Sequence, residues 1–250
     1  MKLQSHIFPL RNAPPYNTVW GNGSYRPRPT PSRERFERLY ATIRDRICLL
    51  EYQPLEHLSE EDLAAEFKIS RTPIRRVLSR LEAEGLVESR HGVGTIVTSI
   101  SFATLSQVYQ LRMELAVLIG RLDPIARNER DLARVRALLA EFDELERHAD
   151  AKVLARLNMD FYQELRAMTG NAPLRDISDR LYFMTHRIWL SAVPHLNVQG
   201  EIVIFRREVA DILAAMEIGD LDAVGYIRRS HISMAFTRLQ RYASRAAASR

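Results

Sequence analysis

The stretch from Arg71 to Arg80 carries the side chains with the clearest chemistry in this sequence. It holds four arginines and no acidic residue. On a helical wheel its apolar side chains fall within an arc of about 100°. Guanidinium forks and hydroxyl groups on the opposite face would pair with guanine edges and phosphates in a major groove, whereas a merely solvated face usually mixes charge signs. The pattern predicts a DNA recognition helix that presents Arg71, Thr72, Arg75, Arg76, Ser79 and Arg80.

Two helices joined by a tight turn are predicted to position this face. Ser59 followed by Asp62 is typical of a capping box at the start of a short helix. Ser70 is predicted to cap the recognition helix, with Pro73 in its first turn and Gly85 at its end. This arrangement is the core of a helix-turn-helix.

A longer helix before this pair and a hairpin after it complete the predicted unit. Apolar residues recur at helical spacing over residues 33–51. Residues 86–90 and 95–98 are β-prone runs around a glycine-containing turn. They predict a wing in which His91 and Gly92 approach a phosphate or the minor groove.

The composition changes along the 250 residues, which favours two domains preceded by an arm. Residues 1–32 contain six prolines and are predicted to be a disordered arm. Residues 33–99 form the predicted winged helix-turn-helix. Residues 102–245 show no convincing strand, and their helical runs with short breaks predict an antiparallel helical bundle. The fold class is therefore mainly α with one small β-hairpin.

The charge distribution and the cysteine content indicate where DNA would bind and in which compartment the protein is expected. The net charge is +5, yet residues 33–99 carry 11 basic and 12 acidic residues, so the positive charge is placed on one helix rather than spread over the domain. The single cysteine, Cys48, lies in an apolar helical run and suggests a reducing compartment. Without a long apolar stretch or a secretory signal, we expect a soluble cytoplasmic protein with no membrane partner.

Two other classes of function are disfavoured by the residues. A carboxylate-bridged metal oxidase needs Glu-x-x-His pairs on facing helices, and the bundle sequence contains none. Serine or cysteine catalysis lacks a nucleophile elbow. An architectural DNA-binding protein would need a dense basic surface throughout, which the mild charge of the bundle argues against. The chain is not expected to be an enzyme.

Two sets of motifs carry a family resemblance. The first closely resembles the winged helix-turn-helix of GntR-type regulators: Leu58-Ser59-Glu60-Glu61-Asp62-Leu63-Ala64, Ser70-Arg71-Thr72-Pro73-Ile74-Arg75 and Leu81-Glu82-Ala83-Glu84-Gly85-Leu86-Val87. The second resembles the effector and dimerisation domain of the FadR-like subgroup: Leu111-Arg112-Met113-Glu114-Leu115, Phe161-Tyr162, Gly170-Asn171 and Gly219-Asp220 with His231. The resemblance implies a homodimeric transcription regulator, a repressor or an activator, that binds a palindromic operator on double-stranded DNA.

The resemblance also implies DNA contacts. They fall on three recognition-helix residues and two wing residues: Arg71, Thr72, Arg75, His91 and Gly92. One departure is Arg75-Arg76, where the family usually has Arg-Glu, so this chain has an additional outward positive charge.

Many members of the family hold a divalent metal through an Asp, a His four residues later and two further His. The corresponding positions here are Asn158, Tyr162, Val209 and His231. Only His231 keeps a ligand type, and the other three are poor ligands for a transition metal. We therefore predict neither a metal nor another cofactor.

By the same resemblance the effector is expected to be an organic acid or acyl compound. The candidate polar lining residues are Arg112, Asn158, Tyr162, His186 and His231, each of which has the alternative of being a satisfied polar residue of the bundle. A metal-sensing or ligand-independent regulator of the same fold stays open as an alternative.

Overall fold

A computed structural model describes residues 30–99 and 102–248, which contain nine α-helices and three short strands. Residues 1–29, most of the predicted arm, lie outside the described residues. The predicted mainly α class with a small β element is confirmed. In chain order the elements are α1 (Pro31–Cys48), β1 (His57–Leu58), α2 (Glu60–Phe67), α3 (Arg71–Ala83), β2 (Val87–Arg90), β3 (Gly94–Val97), α4 (Phe102–Leu118), α5 (Glu129–Leu145), α6 (Ala151–Arg166), α7 (Ala172–Ala192), α8 (Val198–Glu217) and α9 (Leu221–Ala248).

Helix α1 is shifted relative to the predicted range at both ends. It begins at Pro31 because the Thr30 side chain accepts a hydrogen bond from Arg33 N at 3.3 Å and proline suits the first helical position. It ends at Cys48, before the predicted Glu51, since Leu50 adopts a left-handed φ of 57° that a helix does not admit.

Helices α2 and α3 form the predicted helix-turn-helix. The Ser59 side chain caps α2 by accepting from Asp62 N at 3.2 Å, and Lys68 ends it in the left-handed conformation. Ser70 occupies the N-cap position of α3, but its side chain makes no capping hydrogen bond, contrary to the prediction. Gly85 follows α3 with φ +79°, where glycine carries no steric penalty.

The wing is a three-stranded antiparallel sheet with the order β1-β3-β2. Strands β2 and β3 form the predicted hairpin, with Val87 opposite Val97. The two-residue strand β1 pairs with β3 on its other side and was not predicted. Gly94 has φ +101°, a conformation that favours glycine, and a Cβ there would lie 2.5 Å from the end of the His57 side chain.

Six helices, α4 to α9, form the bundle, and each break predicted from the sequence separates two of them. All five breaks end in a side-chain N-cap, at Asn128, Asp150, Asn171, Asn197 and Asp220. Helices α4 and α9 cross closely, because a Cβ at Gly225 would stand 2.9 Å from Val117 O and 3.0 Å from Ala116 O. Within the described ranges, no helix is long and apolar enough to cross a bilayer.

Helix α7 packs one of its faces against the winged helix, and we call this contact the interdomain seam. The Cys48 thiol donates to the Phe183 carbonyl at 3.8 Å, and the Arg44 guanidinium lies 4.1 Å from the centre of the Phe183 ring. Arg187, which is 2% exposed, donates from Nη2 to Thr98 Oγ1 at 2.6 Å. The interdomain seam therefore joins α7 to α1 and to the base of the wing hairpin, where Leu86 and Thr98 flank its two strands.

Candidate functional site

Helix α3 has the orientation that its sequence predicts. Its apolar face is buried against α1 and α2, with Ile74, Val77 and Leu81 fully inaccessible. The opposite face is open to solvent over Arg71, Thr72, Arg75, Arg76 and Ser79, while Arg80 is only half exposed. A row of donors on the outer side of a helix-turn-helix is the arrangement that enters a major groove.

Two arginines of this face share one carboxylate. Glu60, the first residue of α2, accepts from Arg75 Nε at 3.0 Å and from Arg75 Nη2 at 2.8 Å. Its Oε2 also accepts from Arg71 Nη2 at 3.1 Å. The hydrogen bond from Arg75 lowers the pKa of Glu60, so the carboxylate stays charged at neutral pH.

The other two arginines of α3 lie against aromatic rings of α1. The Arg76 guanidinium is 5.1 Å from the centre of the Phe36 ring. Arg80 lies 3.7 Å from the centre of the Tyr40 ring and pairs with Glu37 at 2.9 Å and Glu84 at 3.1 Å. Arg80 therefore holds α1 and α3 together, which leaves it less available to a phosphate than its neighbours.

The tip of the wing consists of exposed residues. His91 and Gly92 lie in the turn between β2 and β3, and Gly92 has φ +74° with open space where a Cβ would be. Arg90 pairs with Glu88 at 2.6 Å. The predicted wing contacts thus project from the domain on a turn that only glycine adopts without strain.

A second site lies inside the bundle, where a cavity of about 30 Å³ is lined mainly by polar side chains. Arg112 of α4 donates from Nη1 to Thr185 Oγ1 at 2.6 Å, and its guanidinium faces the rings of Tyr109 and Tyr182 at 5.1 and 5.5 Å. In the part of the chain that is described, no carboxylate lies within 4.0 Å of this guanidinium. Burial lowers the pKa of Arg112, so the side chain is a desolvated cation without a counter-charge.

A chain of hydrogen bonds forms one wall of the cavity. Tyr182 donates its hydroxyl proton to Asn158 Oδ1 at 3.2 Å and also contacts His186 Nδ1 at 3.1 Å. Burial lowers the pKa of His186 to about 3, so the imidazole is neutral. Its Nε2, and Nε1 of Trp189 one turn further on, are buried without a hydrogen-bond partner among the described residues. Such atoms need water or a ligand, since buried polar groups are rarely left unpaired.

An ion pair forms the facing wall. Arg228 donates from Nη1 to Glu208 Oε1 at 2.5 Å, and both side chains are buried. His231 Nδ1 lies 3.7 Å from Glu208 Oε2, too far for a hydrogen bond. Burial lowers the pKa of His231. The arginines that line the cavity are thus Arg228, paired with Glu208, Arg238, paired with Glu201 at 2.5 Å, and Arg112, which has no carboxylate partner in the described chain.

Four of the five predicted effector residues line this cavity, namely Arg112, Asn158, His186 and His231. Tyr162 lines an adjoining cavity of about 30 Å³ that shares Arg112. Its hydroxyl donates to Asp179 Oδ1 at 2.8 Å, and its ring stacks on Tyr182 with 3.7 Å between centres.

The metal-ligand positions of the family do not fit an ion in this chain. Tyr162 is engaged by Asp179, and Val209 is an apolar side chain with no exposed surface. Over residues 30–99 and 102–248, no group of three or more His, Cys, Asp or Glu side chains is placed to hold a metal.

Several groups at the two sites were not singled out by the sequence interpretation. Trp189 lies three residues after His186 on α7, and Glu208 precedes the family position Val209, so helical spacing and neighbourhood were usable signals for both. Glu60 and Arg228 gave no such signal, because their partners are distant in sequence.

Both domains of the chain match known protein families. Residues 35–97 match the model "Bacterial regulatory proteins, gntR family", and residues 107–234 match the FCD domain. The chain is similar to the Nta operon transcriptional regulator of Aminobacter aminovorans, 31% identical with 59% of this chain and 73% of the relative covered. It is also similar to the probable D-xylose utilization operon transcriptional repressor of Paenarthrobacter nicotinovorans, 31% identical with 70% and 75% covered.

The fold has a solved counterpart. E. coli McbR/YncC superimposes with a TM-score of 0.71 at 16% identity, over 82% of this chain and 97% of that one. The matches to both domains, in the order in which the fold presents them, lead to one conclusion: this chain is a transcription regulator that belongs to the gntR family and carries an FCD domain.

Proposed function

We propose that the protein binds a palindromic operator as a homodimer and that a small organic acid in the bundle cavity controls its affinity for DNA. The observation that carries the proposal is Arg112, a desolvated cation that faces a polar cavity without a carboxylate partner. A buried charge without a partner costs several kcal/mol, and an anionic ligand would supply the missing counter-charge.

The outer face of α3 supports the DNA-binding part. In this proposal Arg75 forks onto a guanine in the major groove, and it is supported by the positions of Arg71 and Thr72 in the first turn of the same helix. The amides of that turn and the uncommitted Ser70 hydroxyl are suited to a phosphate. His91 and Gly92 at the wing tip are suited to a neighbouring phosphate or the minor groove.

The need for two half-sites and the surface of the bundle support the dimer. One winged helix offers a small interface, so tight binding to a palindrome requires a second copy related by a two-fold axis. Helices α4 and α9 are neighbours in the bundle and carry half-exposed apolar side chains at Leu111, Tyr226 and Met234. An interface between subunits would remove such exposed apolar side chains from water.

Cavity size limits the effector and suggests how it acts. A volume of about 30 Å³ holds about two water molecules, so an organic acid must push the lining helices apart. Tyr182 and His186 of α7 face the cavity, while Phe183 and Arg187 of the same helix form the interdomain seam. A displacement of α7 would therefore alter the orientation of the winged helix.

The test is a thermal-shift screen of short-chain carboxylic acids on the full chain, followed by operator titration in the presence of any stabilising acid. We expect at least one acid to raise the melting temperature and to change the operator Kd. Arg112→Leu should abolish the shift, whereas Arg121→Leu, which removes an exposed arginine, should preserve it. An acid whose effect survives in Arg112→Leu would refute the cavity assignment.

Elemental analysis of protein purified without chelator separates the alternatives. Stoichiometric zinc, nickel or manganese would favour a metal-sensing regulator. The absence of any stabilising acid, with operator binding intact, would favour a ligand-independent one.

A further inference from the structure

The carboxylate of Glu60 is the only acidic group recorded within 4.0 Å of Arg71 and Arg75 in the described chain. Its side chain is 24% exposed, against 58% for Arg71 and 63% for Arg75. It is the first residue of α2, where the helix dipole favours a negative charge. Glu60 is thus the better fixed partner, and it orders two long side chains that project into solvent.

The hydrogen bonds occupy one edge of the Arg75 guanidinium and leave the other edge free. Glu60 takes Nε and one N–H of Nη2. A guanidinium has five N–H donors, so the two on Nη1 and the second one on Nη2 remain. The end of the guanidinium therefore still presents two parallel donors, the geometry that matches O6 and N7 of guanine.

The same carboxylate opposes DNA binding in general, because DNA is a polyanion. Non-specific affinity comes from neutralised phosphates, and Glu60 cancels part of the positive charge of α3. Retaining an acid at this place makes physical sense if it improves the alignment of Arg75, because base readout depends on fork geometry whereas phosphate contacts depend mainly on charge.

We propose that Glu60 is a positioning residue for base readout, which holds the Arg75 fork toward the guanine edge and lowers affinity for DNA of other sequence. The inference rests on the proposed reading of DNA by α3. It differs from a structural role in what it predicts, since loss of Glu60 should change the preference among bases rather than weaken all DNA binding equally.

The experiment uses the full chain and an operator selected from randomised duplex DNA by the wild-type protein. Arg75→Ala first identifies the base position whose preference relaxes. Kd values are then measured for the four bases at that position and for a scrambled duplex, with wild type, Glu60→Gln and Glu61→Gln. Glu61 is the neighbouring acid in the first turn of α2, so its variant removes the same charge without touching Arg75.

In Glu60→Gln we expect the discrimination between guanine and the other bases to fall at least about fivefold, while the scrambled duplex binds as tightly as before or tighter. Glu61→Gln should retain wild-type discrimination. Glu60→Asp keeps the charge but is one methylene too short to bridge both arginines, so it should lose discrimination without a gain on the scrambled duplex.

Each remaining outcome decides between the proposals. If Arg75→Ala leaves every base preference unchanged, the reading of DNA by α3 itself is wrong. If Arg75→Ala relaxes one position while both Glu60 variants keep wild-type discrimination, or lose affinity equally for all sequences, only the role of Glu60 is refuted. Melting temperatures are measured for all variants. Should Glu60→Gln fail to fold, the discrimination measured with Glu60→Asp provides the test.

Discussion

Arg187 in the interdomain seam offers the most direct test of how the two domains are joined. Its guanidinium has only neutral acceptors in the described chain, at 2.6 Å to Thr98 Oγ1 and 3.4 Å to the Leu86 carbonyl. Burial lowers its pKa, which reflects the cost of keeping the charge there. Arg187→Met removes the charge and both hydrogen bonds but keeps an unbranched stem of similar reach.

Arg187→Met affects stability in two opposite ways: the lost hydrogen bonds destabilise the protein, and the removal of a buried charge stabilises it. A hydrogen bond from a charged donor contributes about 1.5–3 kcal/mol, and the longer contact contributes less. Neither acceptor group is left unsatisfied, because Thr98 Oγ1 still donates to Gly85 O at 2.7 Å and Leu86 O still accepts from Thr98 N at 3.1 Å. Removing a buried ion returns several kcal/mol of desolvation. We therefore expect the free energy of unfolding to change by less than about 2 kcal/mol, or about 4–8 °C in Tm.

The effect on DNA binding should be larger than this change in stability implies. Without this contact, each winged helix must be ordered when the operator binds. If that ordering costs as much as immobilising one long side chain, it amounts to about 0.5–1.5 kcal/mol per protomer. For a dimer this corresponds to an operator Kd roughly 5- to 150-fold weaker. Denaturant unfolding followed by circular dichroism and operator titration by fluorescence anisotropy measure the two quantities.

The control is Arg207→Met, which changes a well-exposed arginine of α8 and should leave operator affinity at the wild-type value. A loss of more than about 3 kcal/mol in Arg187→Met would mean that the hydrogen bonds outweigh the desolvation. Unchanged operator affinity would mean that the seam does not orient the winged helix.

Three further predictions address the sites. Arg75→Ala should weaken operator binding roughly 5- to 150-fold and relax one symmetric base position; a titration with wild-type affinity and selectivity would contradict this. A fragment of residues 33–99 should bind the operator weakly, and light scattering should give a dimer for the full chain; a monomer with undiminished affinity would refute the proposed assembly. Because burial lowers the pKa of His186 from 6.5 to about 3, its contribution to stability is full above pH 6.5 and declines as the pH falls toward 3, by at most about 1.4 kcal/mol per pH unit. Denaturant titrations between pH 7 and pH 4 should therefore show a shallower loss for His186→Gln than for wild type, and equal slopes would exclude that contribution.

The secondary structure was predictable where its signals are local. The Ser59 side chain caps α2 as expected, although this is only one half of the predicted capping box, and the glycines around the wing turn give the hairpin. The apolar arc of α3 fixed which side of that helix is buried. Such signals lie within one helical turn or one hairpin, so they are readable without knowing the fold.

The electrostatics of the sites were not predictable in the same way. The arginine face of α3 contains no acid of its own, but Glu60 and Glu37 reach it from α2 and α1 across 15 and 43 residues of sequence. Tyr162 has the helical spacing to join Asn158, yet Asp179 on the next helix engages its hydroxyl. These pairings are set by how helices pack, which is tertiary information that a helical wheel does not contain.

The close crossing of α4 and α9 at Gly225 has a mechanical consequence. Because Gly225 closely approaches the backbone of Ala116 and Val117, this crossing would act as a pivot for α4. From the crossing, α4 extends about 22 Å to Phe102 at 1.5 Å per residue. Arg112 lies on this part of α4, between the crossing and the end that leads to the winged helix. If the proposed ligand tilts α4 about this crossing, a tilt of about 5° would move Phe102 by about 2 Å. The displacement there would be larger than at Arg112, which lies nearer the crossing.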